Sequence, residues 1–90
     1  MLYMVVEKFK TAGAKEVYRR SRGKGRLLPQ GLNYVSSWVD LEFSRCFQLM
    51  ETGDFSLFAE WTGQWQDLVE FEIIPVRTSA EAMAVIEPTL

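Results

Sequence analysis

The sequence contains no histidine, one cysteine and three prolines in 90 residues. Without an imidazole, the commonest general base near neutral pH is missing, and no Ser-His or Cys-His nucleophile can be assembled. A zinc or haem site would lack its most frequent ligand. We therefore predict no metal site and no cofactor. Any catalysis would rest on Glu, Asp, Tyr, Lys, Arg or Cys46 side chains, or on a bound group.

Other absences narrow the setting of the protein. A lone Cys46 cannot form an internal disulfide, which favours a reducing, cytoplasmic location. No apolar run approaches the roughly 18–20 residues that span a bilayer, so we expect no membrane segment. The opening MLYMVVEKFK lacks a basic leader and a cleavage site, and no signal peptide is expected. A net charge of −2 does not suggest a nucleic-acid partner.

The composition that is present, 48% hydrophobic and 13% aromatic, is that of a folded chain, and residues 1–90 are predicted to form one domain. Period-2 alternation predicts strands, and apolar spacings of three and four predict helices. The predicted elements are strand 2–9, helix 14–22, strand 31–39, strand 43–51, a helix from about 56 to 66, strand 69–76 and a short helix 79–86.

This order is that of the ferredoxin-like α+β fold, βαββαβ with a short C-terminal helix. Right-handed crossovers place the first and third strands at the centre of a four-stranded antiparallel sheet. Both main helices then cover one face, and the other face is solvated or covered by a partner.

The hairpin from Gly31 to Glu51 decides which side chains lie on which face. If Asp40 pairs with Phe43, the numbers of paired residues sum to 83, and Trp38 lies opposite Arg45. A helix with two Trp residues needs small neighbours, so Val35, Ser37, Val39 and Cys46 are assigned to the helix-covered face. The helix-free face would then hold six large or charged side chains and one valine: Val5, Glu7, Tyr34, Trp38, Arg45, Phe47 and Leu49.

So much apolar surface on a monomer is unusual, and we predict a homodimer through the sheet faces. Five residues of this face are predicted to bind a small anionic or aromatic molecule beside the dimer mate: Glu7, Tyr34, Trp38, Arg45 and Phe47. An arginine beside an indole can hold a carboxylate while a cation–π contact fixes it. The alternative is an Arg45–Glu7 ion pair inside a dimer seam, with the aromatic residues serving packing alone.

Two further features are assigned to structure rather than to chemistry. Six of the ten basic residues lie between Lys15 and Arg26, without a phosphate-loop motif or interleaved aromatic residues, which favours a solvated helix face. Cys46 is predicted to be buried beneath the helices and unreactive.

Several segments resemble one family along nearly the whole chain. YVSSWVD (34–40), RCFQLMETGD (45–54) and WQDLVEFEIIPVRTSAEA (65–82), together with MLYMVVEKFK and YRRSRGKGR, are similar to a family of short bacterial proteins catalogued as domain of unknown function 3303. The resemblance implies a dimeric α/β-barrel, in which two ferredoxin-like sheets face each other around a cavity. It implies no activity and no catalytic residues. Relatives of that architecture include haem-degrading and antibiotic-biosynthesis monooxygenases, muconolactone isomerases and stress-responsive proteins.

Three functions stay open from the sequence. The first is a small dimeric protein that binds a ligand in the cavity. The second is a cofactor-independent monooxygenase or isomerase, with Glu7 or Tyr34 moving a proton and Arg45 stabilising charge. The third is a structural or regulatory protein without a ligand. Whether the protein is an enzyme is not decided by its residues.

Overall fold

A computed structural model describes residues 1–11 and 13–90. The sheet is antiparallel, with the strands in the order β2-β3-β1-β4. This confirms the predicted α+β arrangement with the first and third strands at its centre. The elements are β1 (Leu2–Phe9), α1 (Gly13–Lys24), β2 (Asn33–Val39), β3 (Arg45–Glu51), α2 (Leu57–Thr62), β4 (Val69–Val76), α3 (Ser79–Ile86) and a 3-10 helix (Glu87–Thr89).

The predicted bounds of the strands agree with the structure more closely than the predicted bounds of the helices do. The predicted β1 and β4 agree with the structure, and Pro75 lies on an edge strand, where its missing N–H leaves no ladder bond unmade. The second helix is shorter than predicted, because it ends at Thr62 and Trp65 lies in the turns that follow. Among the described residues, no helix has both the length and the apolar content needed to cross a bilayer.

The two main helices and the core lie on one side of the sheet. β1 alternates between buried and partly exposed residues, and β3 does the same. The buried residues of both strands join Phe58 and the two Trp residues that follow it in one cluster, and Val17 of α1 packs against that cluster. The central buried residues are Tyr3, Val5, Leu32, Met50, Phe58, Trp61 and Trp65.

The predicted hairpin register is wrong by two positions, and the turn explains why. The Asp40 carboxylate accepts hydrogen bonds from the backbone N–H groups of Ser44 (2.7 Å) and Arg45 (2.9 Å). These bonds and the left-handed backbone of Phe43 (φ 57°) stabilise a longer turn. Trp38 therefore lies opposite Phe47 rather than Arg45. A shift of two keeps every side chain between Ser36 and Val39 on its predicted face.

A β-bulge between Tyr34 and Ser36 moves one predicted site residue to the other face. Beyond the bulge Tyr34 pairs with Met50, whose side chain is buried on the helix-covered side. An extra residue in one strand changes the alternation by one, so Tyr34 joins that side as well. Its hydroxyl lies 2.9 Å from the Ser37 hydroxyl. The prediction that Tyr34 shares a face with Trp38 is therefore wrong.

The predicted face of the first strand is also wrong. Val5 pairs with Gln48 and Glu7 pairs with Cys46, so both lie on the helix-covered side. Val5 is completely buried and Glu7 exposes only 8% of its surface. The alternation of β1 was predicted correctly, but both of its faces carry apolar residues, so the alternation did not show which face lies beneath the helices.

Candidate functional site

A cavity of ≈ 130 Å³ lies on the helix-covered side, between the sheet and α1. Its floor is formed by side chains of the three strands β1, β2 and β3, which include Glu7, Ser37 and Gln48. Tyr18 of α1 and Arg26 of the following loop lie at its border, and both are exposed to solvent elsewhere. The cavity therefore combines a buried polar floor with a border that solvent reaches.

Glu7 is the chemically distinctive group of this cavity. Its Oε2 is buried and has no hydrogen-bond partner. Burial raises the pKa of Glu7 to about 7, while the Arg26 charge and the neighbouring Cys46 thiol lower it by less. A buried carboxyl is normally satisfied by partners, so an unpaired oxygen at a cavity marks the place where a donor is missing.

Cys46 faces Glu7 across the central strand pair. It is buried, as the sequence predicted, and carries a free thiol. Burial, followed by the charge of Glu7, raises the pKa of the Cys46 thiol to about 12. A thiol in this environment is protonated and a poor nucleophile, so Cys46 contributes shape and a weak donor to the cavity rather than a reactive group.

Arg26 is held at the cavity through its backbone and its side chain. The indole N–H groups of Trp61 and Trp65 both donate to the Arg26 carbonyl oxygen, each at 3.0 Å. The guanidinium carbon lies 3.7 Å from the centroid of the Tyr34 ring. The carbonyl bonds fix the loop after α1, and the stacked ring fixes the direction of the positive charge.

Arg20 connects helix α1 to the turns between α2 and β4. Its guanidinium makes two hydrogen bonds to Asp67, at 2.9 and 2.7 Å, and lies 5.4 Å from the Trp65 ring centroid. This bidentate geometry is the stronger form of a surface ion pair. The hairpin tip also contacts the helix, because the Phe43 ring packs edge to face against the Tyr18 ring, with the two ring centroids 6.4 Å apart. Both contacts hold the helix over the cavity.

The structure divides the five predicted ligand residues between the two faces of the sheet. Glu7 lies in the cavity, and Tyr34 lies beside it through its contacts with Arg26 and Ser37. The other three share the helix-free face, where Trp38 lies opposite Phe47 and the Arg45 guanidinium lies 5.4 Å from the Phe47 ring. The predicted Arg45–Glu7 pair is wrong, because Lys8 is the β1 partner of Arg45.

Sequence reasoning did not place Arg26, Tyr18 or Gln48 in the site. Arg26 was grouped with the basic stretch, and no role in the site was predicted for Tyr18 or Gln48. The sequence carried no signal for them, because the pairing of Glu7 with Cys46, which fixes the face of β1, is set only in the folded sheet. In the basic stretch, Arg19 pairs with Glu16 and Arg20 with Asp67, which agrees with the interpretation as a solvated face.

The described residues do not bring three carboxylate or thiol groups together in a way that could hold a metal ion. Neither the curated proteins nor the solved structures contain a significant match to this chain. A family model does match, and it is described as a domain of unknown function, DUF3303. The match extends over residues 1–90, and the chain belongs to this family.

Proposed function

We propose that the protein binds a small molecule in the cavity beneath α1, with Glu7 as the group that recognises it. The observation that carries this proposal is the buried, unpartnered Oε2 of Glu7 at the cavity. An unsatisfied buried carboxyl oxygen costs folding free energy of about 1–3 kcal/mol. A ligand that donates a hydrogen bond to this oxygen recovers that cost.

The size of the cavity limits the ligand. Its volume is ≈ 130 Å³. An apolar cavity of about 150 Å³ in another protein takes up one benzene ring. The ligand is therefore about the size of one ring, and Tyr18, Trp61 and Trp65 offer it aromatic surfaces.

The charges at the cavity define the ligand's polar groups. With a pKa of about 7, Glu7 is present in both protonation states at neutral pH, so it can accept a hydrogen bond or donate one. Arg26, at the border, adds a fixed positive charge. A ring with a hydroxyl or N–H for Glu7 and an anionic substituent for Arg26 fits both groups. The predicted preference for an anionic or aromatic molecule is kept, while its place moves to the helix-covered side.

Binding of three probes by NMR titration tests the proposal: phenol, benzoate and 4-hydroxybenzoate. We expect 4-hydroxybenzoate to bind most tightly. Glu7→Gln should weaken both hydroxylated probes by about tenfold, because it replaces a charge-assisted carboxylate acceptor with the weaker neutral oxygen of an amide. Arg26→Met should weaken only the two anionic probes. Lys24→Met is the matched control, since it removes an exposed positive charge that does not line the cavity.

Equal binding of all three probes to wild type and Glu7→Gln would contradict the proposal. Binding that is lost in Trp38→Ala but kept in Glu7→Gln would instead place the ligand on the helix-free face, as the sequence predicted. No binding of any probe would favour the third possibility, a structural or regulatory protein without a ligand.

A second candidate function is proton transfer on the bound molecule. The pKa of about 7 favours it, because a general acid–base group works best when its pKa is near the operating pH. Arg45 takes no part, since it lies on the other face, and Arg26 takes over the role of stabilising negative charge. Exchange of ring-activated C–H protons of a bound enol or phenol with deuterated water, followed by NMR, tests this. Exchange that is equally fast with Glu7→Gln would exclude it.

We also propose a homodimer through the helix-free sheet face. Five side chains of this face are apolar and only partly buried: Leu2, Met4, Val6, Phe47 and Leu49. Trp38 beside them exposes 55% of its surface. A second copy would remove this surface from water at about 25 cal/mol per Å² before association costs. A free, buried Cys46 supports the cytoplasm as the location of this dimer.

A further inference from the structure

A second concave surface lies outside the cavity, between α1 and the turn that joins β2 to β3. It is a groove of ≈ 750 Å³, which is within the size range of small-molecule sites. We call it the outer groove. Tyr18 lines both the outer groove and the cavity, so the two adjoin at this ring. Three basic and two aromatic side chains line the outer groove: Lys15, Arg19, Arg22, Tyr18 and Phe43.

The three cations of the outer groove follow one another along α1 at spacings of four and three residues. Like charges at these spacings destabilise a helix, and Lys15 lies in the first turn, where the helix dipole also disfavours a cation. Arg19 pairs with Glu16, whereas Lys15 and Arg22 have no carboxylate partner among the described residues. A local arrangement that opposes helix stability without compensation is typical of a functional site.

The carboxylates near the outer groove do not cancel its charge. Among the described residues, none of them lines the groove. The Asp40 carboxylate accepts a hydrogen bond from the backbone N–H of Arg45 at 2.9 Å and lies beside the charge of that arginine. If Glu16 and Glu42, which lies in the hairpin turn, are both counted against the three cations, one positive charge remains. The outer groove therefore favours an anion.

The aromatic residues of the outer groove offer a surface for a ring. Tyr18 and Phe43 expose 45% and 59% of their surfaces, so their contact with each other covers only part of each ring. Phe43 also has a left-handed backbone (φ 57°), which a bulky residue rarely adopts. A glycine would form the same turn without strain. The geometry of the turn therefore does not explain why an aromatic side chain stands at this position.

We propose that the outer groove is a second binding site, which takes a small molecule with a phosphate group on a flat ring. The phosphate binds Lys15 and Arg22, and the ring packs against Tyr18 and Phe43. A phosphate carries about −1.5 to −2 charges at pH 7 and three acceptor oxygens, so it can bind several cations at once. Aryl phosphates and free nucleotides share this chemistry. The site does not use Glu7, and two residues of the basic stretch gain a role that the sequence alone did not predict.

NMR titration of the full chain at low ionic strength with four probes tests the outer groove: inorganic phosphate, phenol, phenyl phosphate and adenosine monophosphate. We expect at least one of the two probes with a ring and a phosphate to bind about tenfold more tightly than inorganic phosphate or phenol. The backbone signals of residues 13–22 and of Phe43 should shift. Tighter binding of the nucleotide would identify nucleotides as the source of the ligand, and tighter binding of phenyl phosphate would identify aryl phosphates.

Two double variants separate a built site from general charge attraction. Lys15→Gln/Arg22→Gln should weaken the binding of phenyl phosphate by at least about tenfold, because charge-assisted hydrogen bonds to the phosphate are lost. It leaves the ion pair of Arg19 with Glu16 in place. Lys24→Gln/Arg77→Gln is the matched control, since it removes two exposed positive charges that do not line the groove. The control should change the affinity by less than about twofold.

Phe43→Gly tests the aromatic half of the outer groove without a folding defect. Glycine adopts the left-handed backbone of this position readily, so the turn is kept. The variant should weaken the binding of phenyl phosphate about fivefold, because the ring loses an aromatic neighbour, and should bind inorganic phosphate as wild type does. Equal affinity of wild type and Phe43→Gly for phenyl phosphate would overturn the proposed ring contact.

Three further outcomes would overturn the outer groove as a site. The first is an equal loss of affinity in Lys15→Gln/Arg22→Gln and in the control, which would show that only net charge attracts the probe. The second is binding of phenyl phosphate that Glu7→Gln abolishes and Lys15→Gln/Arg22→Gln keeps, which would place the probe in the cavity. The third is the absence of any shift in residues 13–22 with about 10 mM phenyl phosphate. The ligand proposed for the cavity is tested through Glu7 and other probes, so either proposal can fail without the other.

Discussion

Glu7 and Cys46 are direct partners across the two central strands, and both side chains point beneath the helices. Burial disfavours the charged form of each group: it raises the pKa of Glu7 to about 7, and, together with the charge of Glu7, it raises the pKa of Cys46 to about 12. The pair places a carboxyl that titrates near neutral pH and a neutral thiol against one small cavity. This arrangement gives the site a stability cost that varies with pH.

The stability of the fold should fall as the pH rises through the titration of Glu7. Its pKa is raised from 4.5 to about 7, so between these values the folded state holds a proton that the unfolded state has lost. The contribution of Glu7 to the free energy of unfolding is therefore fully present below about pH 4.5 and is lost as the pH rises through about 7. From pH 5 to pH 8 this group should remove about 2 to 3 kcal/mol from the free energy of unfolding.

Urea unfolding of wild type and Glu7→Gln at several pH values measures this effect. Because glutamine carries no charge, the variant should be the more stable protein at pH 8 and should lack the decline between pH 5 and 8. Glu70→Gln, an exposed carboxylate on β4, serves as the control and should keep the wild-type profile. A wild-type profile that is flat or rises over this range would contradict the assignment.

The Cys46 thiol should resist labelling in the folded protein. With a pKa of about 12, the thiolate fraction at pH 8 is about 1 in 10,000, against about 1 in 10 for a thiol at the reference value of 9. We expect native-state reaction with a disulfide reagent to be at least about a thousandfold slower than in denaturant. Rapid stoichiometric labelling at pH 8 without denaturant would show that the thiol is exposed or activated.

The sequence predicted the fold well because strand periodicity and crossover handedness are local or general rules. The alternation of β1 and the run from Val69 to Val76 required no knowledge of distant residues. The capping box of α3 is also a local feature, since Thr78 and Glu81 are three positions apart.

The site could not be predicted to the same depth, for two physical reasons. Both faces of β1 carry apolar residues, so alternation alone does not say whether Glu7 points beneath the helices or away from them. The β-bulge before Ser36 depends on how the whole hairpin closes, and it moves Tyr34 to the other face. Arg26 enters the site only because two distant indoles hold its carbonyl.

The shared carbonyl acceptor makes Trp61 and Trp65 energetically coupled. Either indole alone still satisfies the Arg26 carbonyl, whereas loss of both leaves a partly buried acceptor without a donor. In a double-mutant cycle of Trp61→Phe and Trp65→Phe, we expect the double variant to lose about 1 kcal/mol more than the sum of the single variants. Additive losses in urea unfolding would mean that the two bonds act independently.

Trp38 offers a direct optical test of the proposed sheet dimer. It exposes 55% of its surface, while Trp61 and Trp65 expose 2% and 5%. Quenching of tryptophan fluorescence by iodide should therefore report on Trp38. If a second copy covers this face, quenching should decrease as the protein concentration rises from about 1 to about 100 µM. Trp38→Phe should remove the concentration dependence, and quenching that stays constant in wild type would argue against the dimer.

Two glycines flank the loop that carries Arg26, and they should respond in opposite directions to the same substitution. Gly31 has a left-handed backbone (φ +96°), and a Cβ there would lie 3.1 Å from Cδ1 of Leu57. Gly31→Ala should therefore lower the free energy of unfolding by at least about 1 kcal/mol, through backbone strain and displacement of Leu57. Gly23 lies within α1 with open space around its Cα. Gly23→Ala should raise stability by up to about 1 kcal/mol, because alanine favours the helix.

Chemical unfolding of both variants beside wild type measures these effects. The Gly31→Ala variant should also bind 4-hydroxybenzoate more weakly, because the loop from Gly25 to Leu32 positions the Arg26 charge at the cavity. Gly23→Ala should bind it as wild type does. A destabilised Gly31→Ala protein with unchanged affinity would show that the cavity does not depend on this loop, and equal stability of the two variants would remove the strain assigned to Gly31.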